Sequence, residues 1–275
     1  MAQILVLANE TIGGAALLDA IRERHAQGDA HFHVVVPKTR PRHGNVIYDE
    51  AVRDSAQVRV DLALAFMRDE GIDGPSGEVG DGDPLNAALD AIAAHGIDEI
   101  IVSTLPPQSS GWMKRDLIEA LHDATGLEVN HVVVDLAKDG LPFDVTLVVG
   151  NQTIAGRELV ERLKELAEEG PRRFILVVPQ DSGDGRAVKA ARERLRKLLG
   201  SLEESGIVAA GLIGDPDPYT ATMNAVQFFH ISDIVISTLP AGTSKWVADK
   251  LVDRVHNATD KPVEHVESSV EPVEA

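Results

Sequence analysis

The chain has 275 residues, 44% of them hydrophobic, and 44 acidic against 26 basic side chains leave a net charge of −18. That excess of carboxylates repels phosphate backbones and anionic lipid, so neither nucleic acid nor a membrane is expected as a partner. There is no cysteine, which excludes disulfides, thiolate nucleophiles and cysteine metal sites.

The N-terminus enters a strand-like apolar run at once, over residues 3–8. It lacks the basic start and apolar core of a signal peptide, and no apolar run approaches the ~18 residues that span a bilayer. A cytoplasmic protein is expected. Asn9, Thr11, Gly13 and Gly14 then turn the chain into a helix over 14–27, which Gly28 stops. A second strand, 31–36, ends at Pro37. A basic loop leads into a long amphipathic helix over about 47–70, closed by Gly71. A weaker strand near 77–79 precedes Asp83 and Pro84, an acceptor side chain at a helix cap with proline in the first turn. That helix runs to about His95. A buried strand over 97–102 feeds the loop STLPPQSS. Ser110 reads as the cap of a fourth helix reaching about Thr125, and a last strand covers 129–135. Gly140 and Pro142 mark residues 136–143 as a connector.

The same order then repeats. Asn9, Thr11, Ile12 and Gly14 recur at an offset of 142 as Asn151, Thr153, Ile154 and Gly156. Ser103, Thr104, Pro106, Ser110 and Trp112 recur at an offset of 134 as Ser237, Thr238, Pro240, Ser244 and Trp246. Solenoid repeats are about 20–50 residues long, so this self-match means two copies of a whole domain. They divide as 1–140 and 141–275. Unbroken apolar strands alternating with helices predict an α/β fold, a parallel sheet covered on both faces in each copy. Ligands in such sheets sit beyond the carboxyl ends of the strands, where strand order reverses.

The loops after strands one and four therefore supply the candidate ligand-binding residues. In the first copy these are Asn9, Thr11, Ser103, Thr104, Ser109 and Ser110. In the second they are Asn151, Thr153, Ser237, Thr238, Thr243, Ser244 and Lys245. Each also has a structural reading: Asn and Thr close turns, and Ser and Thr hydroxyls finish strands or cap helices. Lys114, Arg115 and Lys245 add positive charge near the fourth-helix start. Trp112 and Trp246 suit packing better than base stacking. Asp81 with Asp83, and Asp215 with Asp217, fit capping better than cation binding. The ten histidines show neither an HExxH motif nor a His/carboxylate cluster, so no metal is expected. His131 and His265 share one place in the last strand of each copy and suit structural roles. No nucleophile stands with a base, and no enzymatic activity is expected.

The order of elements, the Asp83-Pro84 helix start and the segment DEIIVST over 98–104 together resemble the universal stress protein family, once per half and over nearly the whole chain. The resemblance implies two tandem doubly wound domains, each a five-stranded parallel sheet of order 3-2-1-4-5 with about four helices. It also implies an intramolecular pseudo-dimer, with a homodimer as a further assembly. Many members bind ATP through an aspartate after strand one and a phosphate loop of pattern G-2x-G-9x-G-S/T. Here Asn9 and Asn151 stand in place of the aspartate. Ser103, Pro106, Asp116 and Leu117 occupy the loop positions of the first copy, and Ser237, Pro240, Lys250 and Leu251 those of the second. Glycine lets the backbone approach phosphates, and proline removes an amide donor. ATP is therefore disfavoured as a cofactor. The expectation is a non-enzymatic stress-response protein that binds or senses a small anionic or nucleotide-like ligand. The alternatives are an ATP binder with slow ATPase activity and a protein-interaction module with vestigial pockets.

Overall fold

The computed structural model describes residues 1–38, 49–112, 116–180 and 185–269. Residues 1–38 and 56–142 belong to one compact unit, and residues 49–55 with those from Phe143 onward belong to another. In the first unit the strands are β1 (Ala2–Leu7), β2 (Ala30–Pro37), β3 (Ser76–Gly80), β4 (Glu99–Thr104) and β5 (Val129–Val133). The helices are α1 (Ala15–Ala26), α2 (Asp49–Asp69, of which the part from Ala56 belongs to this unit), α3 (Pro84–His95), α4 (Leu117–Thr125) and the one-turn α5 (Leu136–Asp139). All strand pairs are parallel, in the order β3-β2-β1-β4-β5.

The second unit repeats this with β6 (Asp144–Val149), β7 (Arg172–Pro179), β8 (Ala209–Gly214), β9 (Asp233–Thr238) and β10 (Val263–Glu267). Its sheet is again all parallel, in the order β8-β7-β6-β9-β10. Its helices are α6 (Arg157–Glu168), α7 (Gly185–Glu204), α8 (Pro218–Phe228), α9 (Lys245–Ala248) and α10 (Leu251–Ala258). The expected fold is thus observed: two tandem five-stranded parallel sheets, each flanked by helices.

The central strands are apolar along their length because helices cover both faces. In the first unit Leu5, Leu7 and Val102 pack with Ala88 of α3 and Leu117 and Leu121 of α4. In the second, Val148 and Leu176 pack with Leu159 and Leu163 of α6 and Leu198 of α7. Because every strand pair is parallel, all the strands' carboxyl ends lie at the same edge of their sheet.

Several expectations need correcting at element ends. The last strand of the first copy stops at Val133, and Asp135 instead caps α5 by accepting from the Lys138 amide at 3.2 Å. The fourth helix does not begin at Ser110; α4 starts at Leu117 after Asp116. In the second unit the matching segment is broken. Ser244 caps the short α9, accepting from the Val247 amide at 3.3 Å, and Lys250 interrupts the helix before α10. The interruption is a backbone event: Asp116 and Lys250 take φ of 47° and 52°, the only non-glycine residues with positive φ among those described. The expected basic loop, residues 38–46, lies outside the described residues from position 39 onward.

Candidate functional site

The strand-one turn is built the same way in both units. The amides of Ile12 and Gly14 donate to the carbonyls of Asn9 and Thr11, and those of Ile154 and Gly156 donate to Asn151 and Thr153. Gly14 and Gly156 recur for a steric reason. A Cβ at Gly14 would collide with Val134, and one at Gly156 with Ser268 Oγ, so the turn presses against the chain leaving the last strand. The threonine hydroxyls tie this turn to strand four. Thr11 Oγ1 donates to the Ser103 carbonyl at 3.3 Å, and Thr153 Oγ1 to the Ser237 carbonyl at 3.1 Å. Both threonines are buried. Their primary work is to hold the two candidate loops together.

At the end of strand four a second pairing recurs. Thr104 Oγ1 lies 2.9 Å from His131 Nε2, and Thr238 Oγ1 lies 2.8 Å from His265 Nε2. Thr238 already donates its one hydroxyl proton to the Leu239 carbonyl at 2.8 Å, so His265 must donate from Nε2. Burial pushes His131 below its usual pKa range. These histidines orient the threonines from the neighbouring strand, in keeping with their expected structural role.

Beyond strand four, the proline carbonyl organises a tight turn. Pro106 O accepts from both Ser109 and Ser110 amides at 2.8 Å, and Pro240 O from Thr243 at 2.8 Å and Ser244 at 3.1 Å. The backbone donors that would face a phosphate chain are thus consumed inside the loop. Thr243 Oγ1 also donates to Pro240 O, at 3.0 Å. Asp116 and Lys250 stand where the resemblance calls for a loop glycine. Their left-handed backbone keeps the glycine-type conformation without the glycine.

In the second unit these parts surround a cavity of about 420 Å³. Asn151, Thr153, Ser237, Thr238, Thr243, Ser244 and Lys245 all line it, so every candidate residue of that copy is brought together. Gln152, Gln180, Pro216, Leu239 and Trp246 are the other lining residues among those described. The cavity sits beyond the ends of β6, β7, β8 and β9, at the point where strand order reverses. Gln180 and Pro216 were not legible as site residues; only the sheet order brings the ends of β7 and β8 alongside Asn151. The two tryptophans part company. Trp112 packs against the core of the first unit, whereas Trp246 lines the cavity.

Each strand-one loop also meets an arginine that sequence reasoning missed. Arg194 of α7 donates to Asn151 Oδ1. In the first unit Arg59 of α2 is buried, and desolvation pulls its pKa down to about 10 despite the opposing pull of Glu10. Asn9 Oδ1 and Ser103 Oγ in the first unit are buried and carry no hydrogen-bond partner. Lys114 and Arg115 lie outside the described residues.

Both Asp-x-Asp pairs are explained by capping. Asp83 Oδ1 accepts from the Leu85 and Asn86 amides, and Asp81 accepts from the Asp83 amide. Asp217 accepts from Thr220, and Asp215 from the Asp217 amide. The expected absence of a His/carboxylate cluster needs correction, since the fold gathers His33, Glu78 and His95. They lie on three separate elements, so no sequence spacing could announce them.

No family model matches the chain, and no curated protein matches it. Among solved structures it is similar to a universal stress protein from Archaeoglobus fulgidus DSM 4304, at 17% identity. The match covers 98% of this chain and 96% of that one, with a TM-score of 0.33. The fold assignment therefore rests on the strand order itself. Among the described residues no helix is long and apolar enough to cross a membrane.

Proposed function

We propose that the chain is a non-enzymatic stress-response protein that binds a small anionic or nucleotide-like molecule in the second unit's crevice. The observation that carries this reading is the charge of the lining. In a chain with net charge −18, Lys245 is the one ionisable group among the described lining residues. The other described lining residues are all uncharged: hydroxyls, side-chain amides, Pro216, Leu239 and the Trp246 indole. The volume falls within the roughly 300–1,000 Å³ usual for small-molecule sites. A single cation with neutral donors suits one phosphate or carboxylate, and Trp246 offers a flat apolar surface for a ring. A triphosphate fits less well, because the amides after Pro240 are engaged within their turn. ATP is thus a poor ligand in this reading.

Calorimetric titration of the full chain with adenosine monophosphate, inorganic phosphate and Mg-ATP tests this. The monophosphate should bind at least as tightly as Mg-ATP. Lys245→Gln should weaken it by about 10–100-fold, the worth of one charge-assisted hydrogen bond. Tighter binding of Mg-ATP, or binding unchanged by Lys245→Gln, would overturn the reading. The proposal also takes the two copies as an intramolecular pseudo-dimer. Light scattering then distinguishes a single chain, 29.5 kDa, from the further assembly into a homodimer at twice that mass.

A further inference from the structure

The first unit carries a cluster that the crevice reading does not use. His33 on β2 is 4% exposed and points its Nε2 at Glu78 Oε1 on β3, 3.4 Å away. That nitrogen is buried and makes no hydrogen bond. The other ring nitrogen is fixed, since Nδ1 lies 2.8 Å from Ser76 Oγ. His95, at the last turn of α3, brings its Nε2 to 3.7 Å from the same carboxylate oxygen. The two rings stand 3.9 Å apart, and all three ligand atoms lie within 4.8 Å of one another.

We propose that His33, Glu78 and His95 bind one divalent ion of the zinc class. Zinc bonds of about 2.0–2.2 Å at tetrahedral angles place neighbouring ligand atoms roughly 3.4 Å apart. The His33–Glu78 pair already has that spacing, and His95 at a partly exposed helix end closes the rest with a small ring movement. Two imidazoles and one carboxylate favour zinc and its neighbours over magnesium or calcium, which take oxygen ligands. Ser76 fills the outer-shell role usual for a ligating histidine, holding Nδ1 so that Nε2 faces the ion. Glu78 and His95 are exposed, so the remaining coordination position faces solvent.

The repeat supplies an internal comparison. Strand register pairs His33 with Ser76 in the first unit and Ile175 with Ala210 in the second. At the same offsets Glu78 corresponds to Leu212 and His95 to Phe229. One domain architecture is filled with apolar side chains at these four positions in one unit, and with three ligand-bearing side chains and the serine that holds one of them in the other. The fold itself does not require His33, Ser76, Glu78 or His95, and a buried histidine whose Nε2 meets a carboxylate without a hydrogen bond is placed as a ligand would be.

Chelator-stripped full-length protein titrated with zinc against a competing chromogenic chelator is the test. One equivalent should bind per chain, and cobalt should give the intense visible absorption of a four-coordinate site. Glu78→Gln and His95→Gln, both at exposed positions, should each weaken zinc by at least ~10-fold. Ser76→Ala should weaken it by about 10-fold, the low end for outer-shell partners. Millimolar magnesium should not compete. Stoichiometric binding that survives both glutamine variants, displacement by magnesium, or no saturable binding would each overturn the proposal.

Discussion

Lys250 and Asp116 carry a cost that their side chains do not repay. An L-residue in left-handed backbone is disfavoured by roughly 1–2 kcal/mol, and neither side chain makes a capping hydrogen bond. Aspartate tolerates this conformation better than lysine. Lys250→Gly should therefore stabilise the chain by about 0.5–1 kcal/mol, after the extra freedom glycine brings to the unfolded state. Asp116→Gly should gain less. The denaturant midpoint reads both, and a loss of stability in Lys250→Gly would contradict the backbone assignment. These residues also mark a limit of sequence reading. Ser110 and Ser244 look like caps of one long helix. Nothing in the residue types near Lys250 announces that the backbone turns left-handed there.

At the scale of elements, the link between the start of α6 and the chain after β10 has a titratable pin. Glu158 is held near pKa 2, against 4.5 when free, first by its own backbone amide, then by the Ser269 amide and the Ser268 hydroxyl. Its side chain accepts from Ser269 N at 3.1 Å and from Ser268 Oγ at 2.9 Å. A carboxylate with a depressed folded pKa stabilises fully above its unfolded value. Its contribution is lost as pH falls from about 4.5 towards 2. Amide exchange at Ser269, corrected for its intrinsic pH dependence, should therefore accelerate across that window. Glu158→Gln should show the faster exchange already at neutral pH, with no further change on acidification. Equal protection in the variant would show that Glu158 does not hold this segment. Glycine at 156 belongs to the same contact, because only the missing Cβ lets Ser268 approach. The recurrence of Gly14 and Gly156 was legible in sequence, but the surface they press against was not.

Across the whole molecule, duplication yields two sheets of one topology with different chemistry at their polar positions. The second unit gathers Asn151, Ser237 and Lys245 around one cavity, while the first sets His33, Glu78 and His95 at the β2–β3 edge. The parallel sheets and the placement of the strand-one and strand-four loops were readable from the residues, while the strand order came only from the resemblance to universal stress proteins. Apolar runs such as residues 3–8 and 97–102 define buried strands, and the repeat fixes where the second copy begins. What escaped were residues joined only by the sheet: Gln180 and Pro216 at the cavity, Arg194 on Asn151, and the histidine cluster. Their sequence separations exceed any helical or strand period, so only tertiary structure relates them.

The central claim is that a small anion occupies the second unit's crevice. Amide chemical-shift mapping of isotope-labelled full-length protein, titrated with adenosine monophosphate, tests it most directly. The account predicts saturable shifts confined to residues 151–153, 180 and 237–246, with Lys245 among the largest. Shifts absent from those residues, or confined to the other unit, would contradict it.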